Sequence, residues 1–384
     1  VKGGTAGLFL ILFLTAGSAF AANDGAKIVF QINENSGVWS GDNTLKKEGS
    51  QNLVYFSVAY LKKKYGVTFL GRYANTTFKN DDPAVEDFDL SAMLDSTLSG
   101  YYKLGVVRAG LDLNLPTGHA GFTNAELQAL FLDNVIQDLN VTNSFGRGLD
   151  ISPNLIVRFP LEIFEVGLGL RYDLTGKYDP TSDIPGDDFD PGDILTIIGT
   201  LQYKPSDKMM AFANLSAKMN TRDRQDGTGD VFKQGNRYAL DLRLIQAYES
   251  FRGTYGFSYG IQDKNQSLGA GGGITTEDRN TNNNRYELFA NIFYPFRKTF
   301  ALKGILGYKT VLANSEQSGQ PLHDAGYTKI YLGGGAKFLI SKLFFWTADL
   351  RLFRISNKAD AQEAEDTNYN GFNFDIGLVY TFKN

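Results

Sequence analysis

Charged side chains in this sequence recur at every second position of short segments. Their chemistry is that of a selective wall, not of a reaction centre. Asp89, Asp95, Asp112, Asp150, Glu165 and Asp173 fall on the polar side of their segments, with Arg108, Arg158 and Arg171 among them. Further along come Lys218, Arg237, Arg243, Arg252, Arg285, Lys303, Lys309, Lys329, Lys337 and Arg351, interspersed with Asp241, Glu287 and Asp349. If all of these line one water-filled tube, an acidic wall faces a basic wall. A transverse field of that kind orients dipolar solutes and turns apolar ones away. Pairing of Asp with Arg on neighbouring strands would use the same residues and leave no net field. The sequence leaves both arrangements open.

Covalent chemistry finds little support. Cysteine is absent, which excludes thiolate nucleophiles and cysteine metal sites. The two histidines, His119 and His323, fall in loops, and no serine or acid beside them is marked as a partner. Asp183, Asp187, Asp188, Asp190 and Asp193 offer hard oxygen ligands, but their spacing fits no calcium loop and suits a solvated acidic loop. Residues 269–273 (GAGGG) lack the lysine and hydroxyl residue of a phosphate loop. The expectation is therefore no enzyme activity, no metal and no cofactor. Basic and acidic residues number 38 and 42, a balance that argues against a nucleic-acid partner.

Strands must position the charged residues. After the N-terminus no segment holds about 18 apolar residues in a row, so no helix of that kind spans a membrane. Segments of about ten residues alternate apolar and polar side chains instead. In 251–262, Phe251, Gly253, Tyr255, Phe257, Tyr259 and Ile261 alternate with Arg252, Thr254, Gly256, Ser258, Gly260 and Gln262. A mean hydropathy of -0.23 conceals such segments, because each averages a greasy side with a wet one. The reading is sixteen strands, near 27–34, 51–61, 65–77, 87–101, 104–115, 148–159, 163–177, 192–204, 207–221, 235–247, 251–264, 285–296, 299–313, 326–340, 343–356 and 371–383. Connections alternate strictly between short turns and long polar loops, the latter at 35–50, 78–86, 116–147, 178–191, 222–234, 265–284, 314–325 and 357–370. This predicts an all-β fold, a transmembrane antiparallel up-and-down β-barrel with short turns at one end. A barrel of sixteen strands is too wide for its inward side chains to fill.

Aromatic residues gather at the short-turn ends: Tyr60, Tyr65, Tyr101, Tyr102, Phe159, Phe164, Tyr203, Tyr294, Phe296, Phe344, Tyr380 and Phe382. Amphipathic rings favour the headgroup level, so these predict a girdle. Residues 1–21 read as a signal peptide. Lys2 precedes a short apolar run at 8–14 (LFLILFL), and Ala19-Phe20-Ala21 is a small-x-small cleavage site. The barrel would then occupy 22–384, in the outer membrane of a Gram-negative-type bacterium.

The third long loop, 116–147, carries helix signals. Thr123 would cap a helix, Glu126 would reach back to it, and Phe122 would staple onto Leu127. Ala125, Ala129, Leu132, Ile136 and Leu139 share one helical face, and Asp133 and Asp138 add charge. Such a face needs burial: in the barrel mouth, over the rim or against a neighbouring subunit. The expectation is that 122–140 constricts or plugs the pore.

The final strand resembles the ending of bacterial outer-membrane β-barrels of the porin-like kind. Asp375, Gly377, Tyr380 and Phe382 fit its polar-x-Gly-x-x-aromatic-x-aromatic pattern, though Lys383 and Asn384 follow where many members stop. The resemblance implies that the barrel assembly machinery reads this strand. Residues 111–118 (LDLNLPTG) are similar to the outer-membrane transporter-like family associated with phenol degradation. General porins are similar in architecture, and in them the loop after the fifth strand folds inward. The readings are a channel for passive diffusion of small solutes, or a substrate-specific channel for aromatic or hydrophobic compounds, as the phenol-family likeness implies. A third is a barrel scaffold sheathing a periplasmic or electron-carrying partner. Expected partners are outer-membrane lipid, the assembly machinery, small-molecule solutes and, by analogy with sixteen-stranded porins, two further copies in a homotrimer.

Overall fold

The computed structural model describes residues 26–42, 44, 46–81, 87–119, 121–122, 134–139, 146–181, 188–360 and 364–383. The signal-peptide expectation therefore lies outside the described residues. The first strands are β1 (Lys27–Gly41), β2 (Lys47–Leu61), β3 (Tyr65–Asn80), β4 (Phe88–Leu104), β5 (Val107–Leu115), β6 (Asp150–Leu161), β7 (Phe164–Asp173) and β8 (Phe189–Asp190). Next come β9 (Ile194–Ser206), β10 (Met209–Asn220), β11 (Asp223–Gln225), β12 (Gly229–Lys233), β13 (Arg237–Ala247), β14 (Arg252–Gln262), β15 (Gln266–Leu268) and β16 (Ile274–Thr276). The last are β17 (Arg285–Arg297), β18 (Phe300–Val311), β19 (Tyr327–Ser341), β20 (Phe344–Asn357) and β21 (Thr367–Lys383). Among the described residues one helix, α1 (Asn134–Leu139), lies between β5 and β6.

Sixteen strands close one antiparallel barrel in the order β1-β2-β3-β4-β5-β6-β7-β9-β10-β13-β14-β17-β18-β19-β20-β21. The last strand pairs with the first from Lys27↔Lys383 to Gly41↔Tyr369, so the barrel itself has no edge strand. The first strand, expected at 27–34, runs on to Gly41. Its continuation reads as loop in the sequence because Asn33, Glu34, Asn35 and Ser36 break the apolar alternation. The five short strands β8, β11, β12, β15 and β16 form a separate sheet beyond the long-loop end. They come from the loops expected at 178–191, 222–234 and 265–284, whose strands are only two to five residues long. Segments so short carry no readable period.

Register assigns the two faces. Directly paired residues share a face, so Glu165↔Gln202, Phe212↔Arg243, Ser258↔Glu287, Lys309↔Lys329 and Asp349↔Asp375 follow one face around much of the barrel. The opposite face carries Leu215, Leu332 and Leu352, which are 65%, 63% and 58% exposed on the isolated chain. A continuous apolar belt of this extent has to be covered, and hydrocarbon covers it in a closed barrel with no unpaired backbone. At the short-turn end the aromatic rings meet in pairs: Phe164 stacks on Tyr203 at 4.9 Å, Tyr248 on Phe251 at 4.3 Å and Phe338 on Trp346 at 4.3 Å.

Two face assignments need correction, both in β4. Phe88, Leu90 and Leu94 are buried in the interior, so the exposed Asp89 between Phe88 and Leu90 points outward and does not line the pore. A register shift in the β3–β4 pairing follows Leu94. It reverses parity, so that Thr97, Ser99 and Tyr101 face the lumen. Tyr101 is therefore an interior ring under Arg108, at 4.0 Å, and not part of the girdle. The long-loop ends of β2–β4 also invert the usual barrel alternation. Inside they carry Leu53, Phe78, Phe88 and Leu90; outside, Ser50 bonds Thr77 at 2.8 Å. Inversion of this kind fits wall that stands above the hydrocarbon, with water outside and a greasy body within.

Candidate functional site

That greasy body is α1. Val135 and Leu139, one turn apart on the same side of the helix, are 2% and 3% exposed. They sit in an interior cluster with Trp39 of β1, Phe78 of β3, Phe353 and Ile355 of β20 and Tyr369 of β21. Trp39 bridges the wall, with Phe78 at 5.9 Å on one side and Tyr369 edge-on at 5.7 Å on the other. Phe122 is buried in the same cluster. Phe122 and α1, the described interior parts of loop 116–147, thus lie inside the barrel mouth. Of the residues expected to build its helix, Thr123, Glu126, Asp133, Ala125, Ala129 and Leu132 lie outside the described residues. Leu139 is on the buried face as the helical period implies, and Val135 shares that face.

The polar flank of α1 is ion-paired to the wall. Asp138 meets Lys309 of β18 and, at 3.2 Å, Lys329 of β19. The Lys329 ammonium also donates to the Asp138 carbonyl at 3.2 Å, a cation at the helix C-terminus where the dipole favours one. All three side chains are largely buried, at 17%, 17% and 14% exposure. Burial alone would push the Asp138 carboxyl up; attraction from Lys329 and Lys309, with their hydrogen bonds, outweighs it and holds the group below its usual 3.8. A depressed carboxylate contributes stability above its ordinary value and loses it as pH falls through the lowered one. Helix α1 is therefore expected to stay seated against the wall from neutral pH down to 3.8 and to loosen only below that. Single-channel recordings across an acid series check this, and Asp138→Asn should abolish the acid step. A step already present near neutrality would contradict the assignment.

The feet of the loop are clamped. One Asp95 carboxylate accepts from Gly118 N, Arg147 N and Asn114 Nδ2, each at 2.9 Å. The Thr117 hydroxyl accepts from Ser96 N at 2.8 Å. Asp150 takes Arg147 at 2.7 Å. Of the acidic residues expected along the lumen, Asp95 joins the two feet of the loop, and Asp150 holds Arg147 on the second foot and accepts from Gly176 N. The Leu-Pro-Thr-Gly signal falls on one of these feet.

Most other charges expected along the pore are paired with neighbours. Arg171 bridges Asp112 and Asp173, each at 2.5 Å, and Arg158 meets Glu165 at 3.6 Å. Arg243 pairs with Asp241 at 2.8 Å, Lys303 with Asp349 at 2.5 Å and Arg351 with Asp375 at 2.5 Å. Local pairing thus cancels most of the acidic wall. Among the described residues, Lys218, Arg237, Arg252, Arg285 and Lys337 meet no carboxylate, although Lys337 lies 4.2 Å over the Phe345 ring. Tyr331, which the sequence reading passed over, reaches across Gly307 to donate to Glu287 at 2.7 Å. Any side chain at 307 would meet the Tyr331 ring, so that glycine is needed for close approach.

Beside α1 a cavity of about 800 Å³ remains open, lined by Asp138 on the helix side and by Arg237, Ser258, Gln262, Arg285 and Glu287 on the wall. A second, of about 400 Å³, lies by Tyr101, Arg108, Asp112 and Arg171. In the final strand Asp375 faces the lumen, where Asn35 and Arg351 bond it. Tyr380 and Phe382 meet edge-on at 4.4 Å on the lipid face. The described loop candidates make local contacts. His119 packs edge-on against Phe122 at 5.0 Å, and His323 Nδ1 lies 3.1 Å from the Glu316 carbonyl. Asp188 pairs with Lys177 at 2.9 Å, while Asp183 and Asp187 lie outside the described residues. Residues 269–273 form the turn between β15 and β16, closed by Gly269 N to Gly273 O.

No protein-family model matches the sequence, and no curated protein matches it. Three similar solved structures are a TodX monoaromatic hydrocarbon channel deltaS2 mutant, the DcaP outer-membrane channel of Acinetobacter baumannii and the COG4313 outer-membrane channel of Pseudomonas putida F1. Identities are 12%, 10% and 13%, and TM-scores 0.47, 0.44 and 0.41. Each alignment covers 94% of this chain, and 91%, 99% and 97% of the respective neighbour. What defines this chain is its own closed ring of strands, its apolar belt and its sorted connections. It is a closed, sixteen-stranded antiparallel β-barrel with its apolar belt on the outside.

Proposed function

We propose that the chain is a channel for passive diffusion of small polar solutes, narrowed at its mouth by α1. The observation that carries this is the polar cavity of about 800 Å³ between the helix and the barrel wall. A tube of sixteen strands leaves room for water, and a short helix pinned to one side of it obstructs without filling. Selectivity then comes from width and wall charge, with no bond made or broken.

The alternative of a channel for aromatic or hydrophobic compounds has less support from the geometry. The greasy interior surface such a solute would need is covered by Val135 and Leu139. A scaffold sheathing a partner is disfavoured for a related reason, since the mouth holds the chain's own helix. Asp375, Gly377, Tyr380 and Phe382 would present a two-faced strand to the assembly machinery, polar inside and aromatic outside. Reconstitution of the purified chain in a planar bilayer tests the proposal. Discrete ohmic current steps in potassium chloride are expected; a chain that inserts and carries no current would be a scaffold.

A further inference from the structure

The cavity beside α1 has a chemistry more specific than its size. Arg237 of β13 and Arg285 of β17 stand on either side of β14, and both are open to water although they lie inside the barrel. Arg237 is opposite Gln262, and Gly260 is opposite Ala239 on one side and Arg285 on the other. The two guanidinium groups therefore rise from nearly one level of the wall. The Arg285 side chain lies across Gly260 of β14, its Cγ and Nε at van der Waals distance from where a β-carbon would stand.

Neither arginine has a carboxylate partner among the described residues, in contrast with Arg243, Lys303, Lys309, Lys329 and Arg351 on the same half of the barrel. Arg237 Nε donates to Gln262 Oε1 at 2.7 Å, which orients the group and leaves its terminal nitrogens for another acceptor. The nearby acids are already engaged. Asp138 is neutralised by two lysines, and Glu287 takes the Tyr331 hydroxyl at 2.7 Å. Ser258, Asn282 and Asn283 line the same cavity; Asn282 Nδ2 donates to Asp263 O and Asn265 Oδ1 and Asn283 Nδ2 to Leu312 O, so the Ser258 hydroxyl and the asparagine side-chain carbonyls face a solute.

We propose that Arg237 and Arg285 form a carboxylate-binding subsite in the pore mouth, selecting small hydroxylated organic acids over neutral solutes of equal size. Two like charges held side by side repel, and an anion between them relieves that repulsion. Guanidinium forks match the two oxygens of a carboxylate. The serine and asparagine side chains match hydroxyl groups further along such a molecule. The proposal rests on the passive-channel reading given above.

Gluconate and glucose, similar in size and hydroxyl count, separate charge from shape. Each is added to the long-loop side of a bilayer carrying single channels in potassium chloride. Gluconate is expected to reduce the current saturably, and glucose at equal concentration to leave it nearly unchanged. The Arg237→Gln/Arg285→Gln variant should lose at least about tenfold in apparent gluconate affinity, the scale of losing charge-assisted hydrogen bonds. Arg285→Gln alone, a milder change should the double variant fail to insert, should lose at least about threefold on the same scale. Ohmic current with no gluconate block, or block equally strong in these variants, overturns the subsite and leaves the channel standing. Absence of any current in the intact chain overturns the channel reading and the subsite with it.

Discussion

A chain lacking residues 122–140 should conduct at least about twice as much current per channel as the intact chain, because an unplugged barrel of sixteen strands encloses an aqueous passage. The removed segment contains α1, which holds Val135 and Leu139 against the inner wall and sets Asp138 into the lumen. The wall should survive its loss. Barrel closure depends on strand pairing, and β5 and β6 pair directly from Asn114↔Asp150 to Val107↔Val157. The feet at Gly118 and Arg147 meet on one Asp95 carboxylate, so a short linker can rejoin the cut ends. Deletion would wet Trp39, Phe78, Phe353 and Ile355, which costs stability but leaves the backbone ladder intact. Single-channel recordings in potassium chloride measure the outcome. Unchanged conductance in a correctly inserted deletion variant would show that α1 does not limit flow.

How much of this was legible in the sequence follows from which solvent each residue meets. Strands such as β14, with hydrocarbon on one side and water on the other, announce themselves by strict alternation. Their inward residues, Arg252 through Gln262, can be read directly. Alternation failed where the two solvents changed places. Asp89 looks like lumen because polar residues face inward lower down β4, yet at its level the interior is the greasy bed of α1. The shift after Leu94 also inverts the count, and no residue type there marks it. The buried side of α1 was legible at Leu139 through the helical period, since a helix needs burial wherever it forms. Its anchor was not visible: nothing in the sequence joins Asp138 to Lys309, 171 residues away, because that pairing exists only once the barrel has closed. Charge partnership is likewise a property of neighbouring strands. Arg351 and Arg237 look alike in sequence, but Arg351 meets Asp375 on the next strand, whereas Arg237 meets Gln262 there and keeps its charge open to a solute.

Asp138→Asn should unseat the plug more strongly than any other single substitution. The change leaves Lys309 and Lys329 charged, largely buried and without their carboxylate. Removing one member of a buried ion pair costs on the order of 3–5 kcal/mol, because the orphaned charge stays desolvated. At 1.4 kcal/mol per tenfold, the seated state should lose roughly two to three and a half orders of magnitude against the unseated one. Current traces should change from a steady low level to frequent visits to a high one. A second readout uses the absence of cysteine from the chain. Val135→Cys places one thiol on the buried face of α1, to be protected from a water-soluble maleimide when the plug is seated and labelled when Asp138→Asn is combined with it. The decisive control removes charge without leaving an orphan. In Asp138→Leu/Lys309→Met/Lys329→Met all three groups are apolar, and such replacements of buried ionic clusters are often neutral or stabilising. That triple variant should close the mouth again, although it lacks the same carboxylate as the single variant. If it opens as far as Asp138→Asn, ion pairing is not what decides the seat. If Asp138→Asn changes neither the current nor the labelling, the apolar bed of Trp39, Phe353 and Ile355 holds the helix unaided.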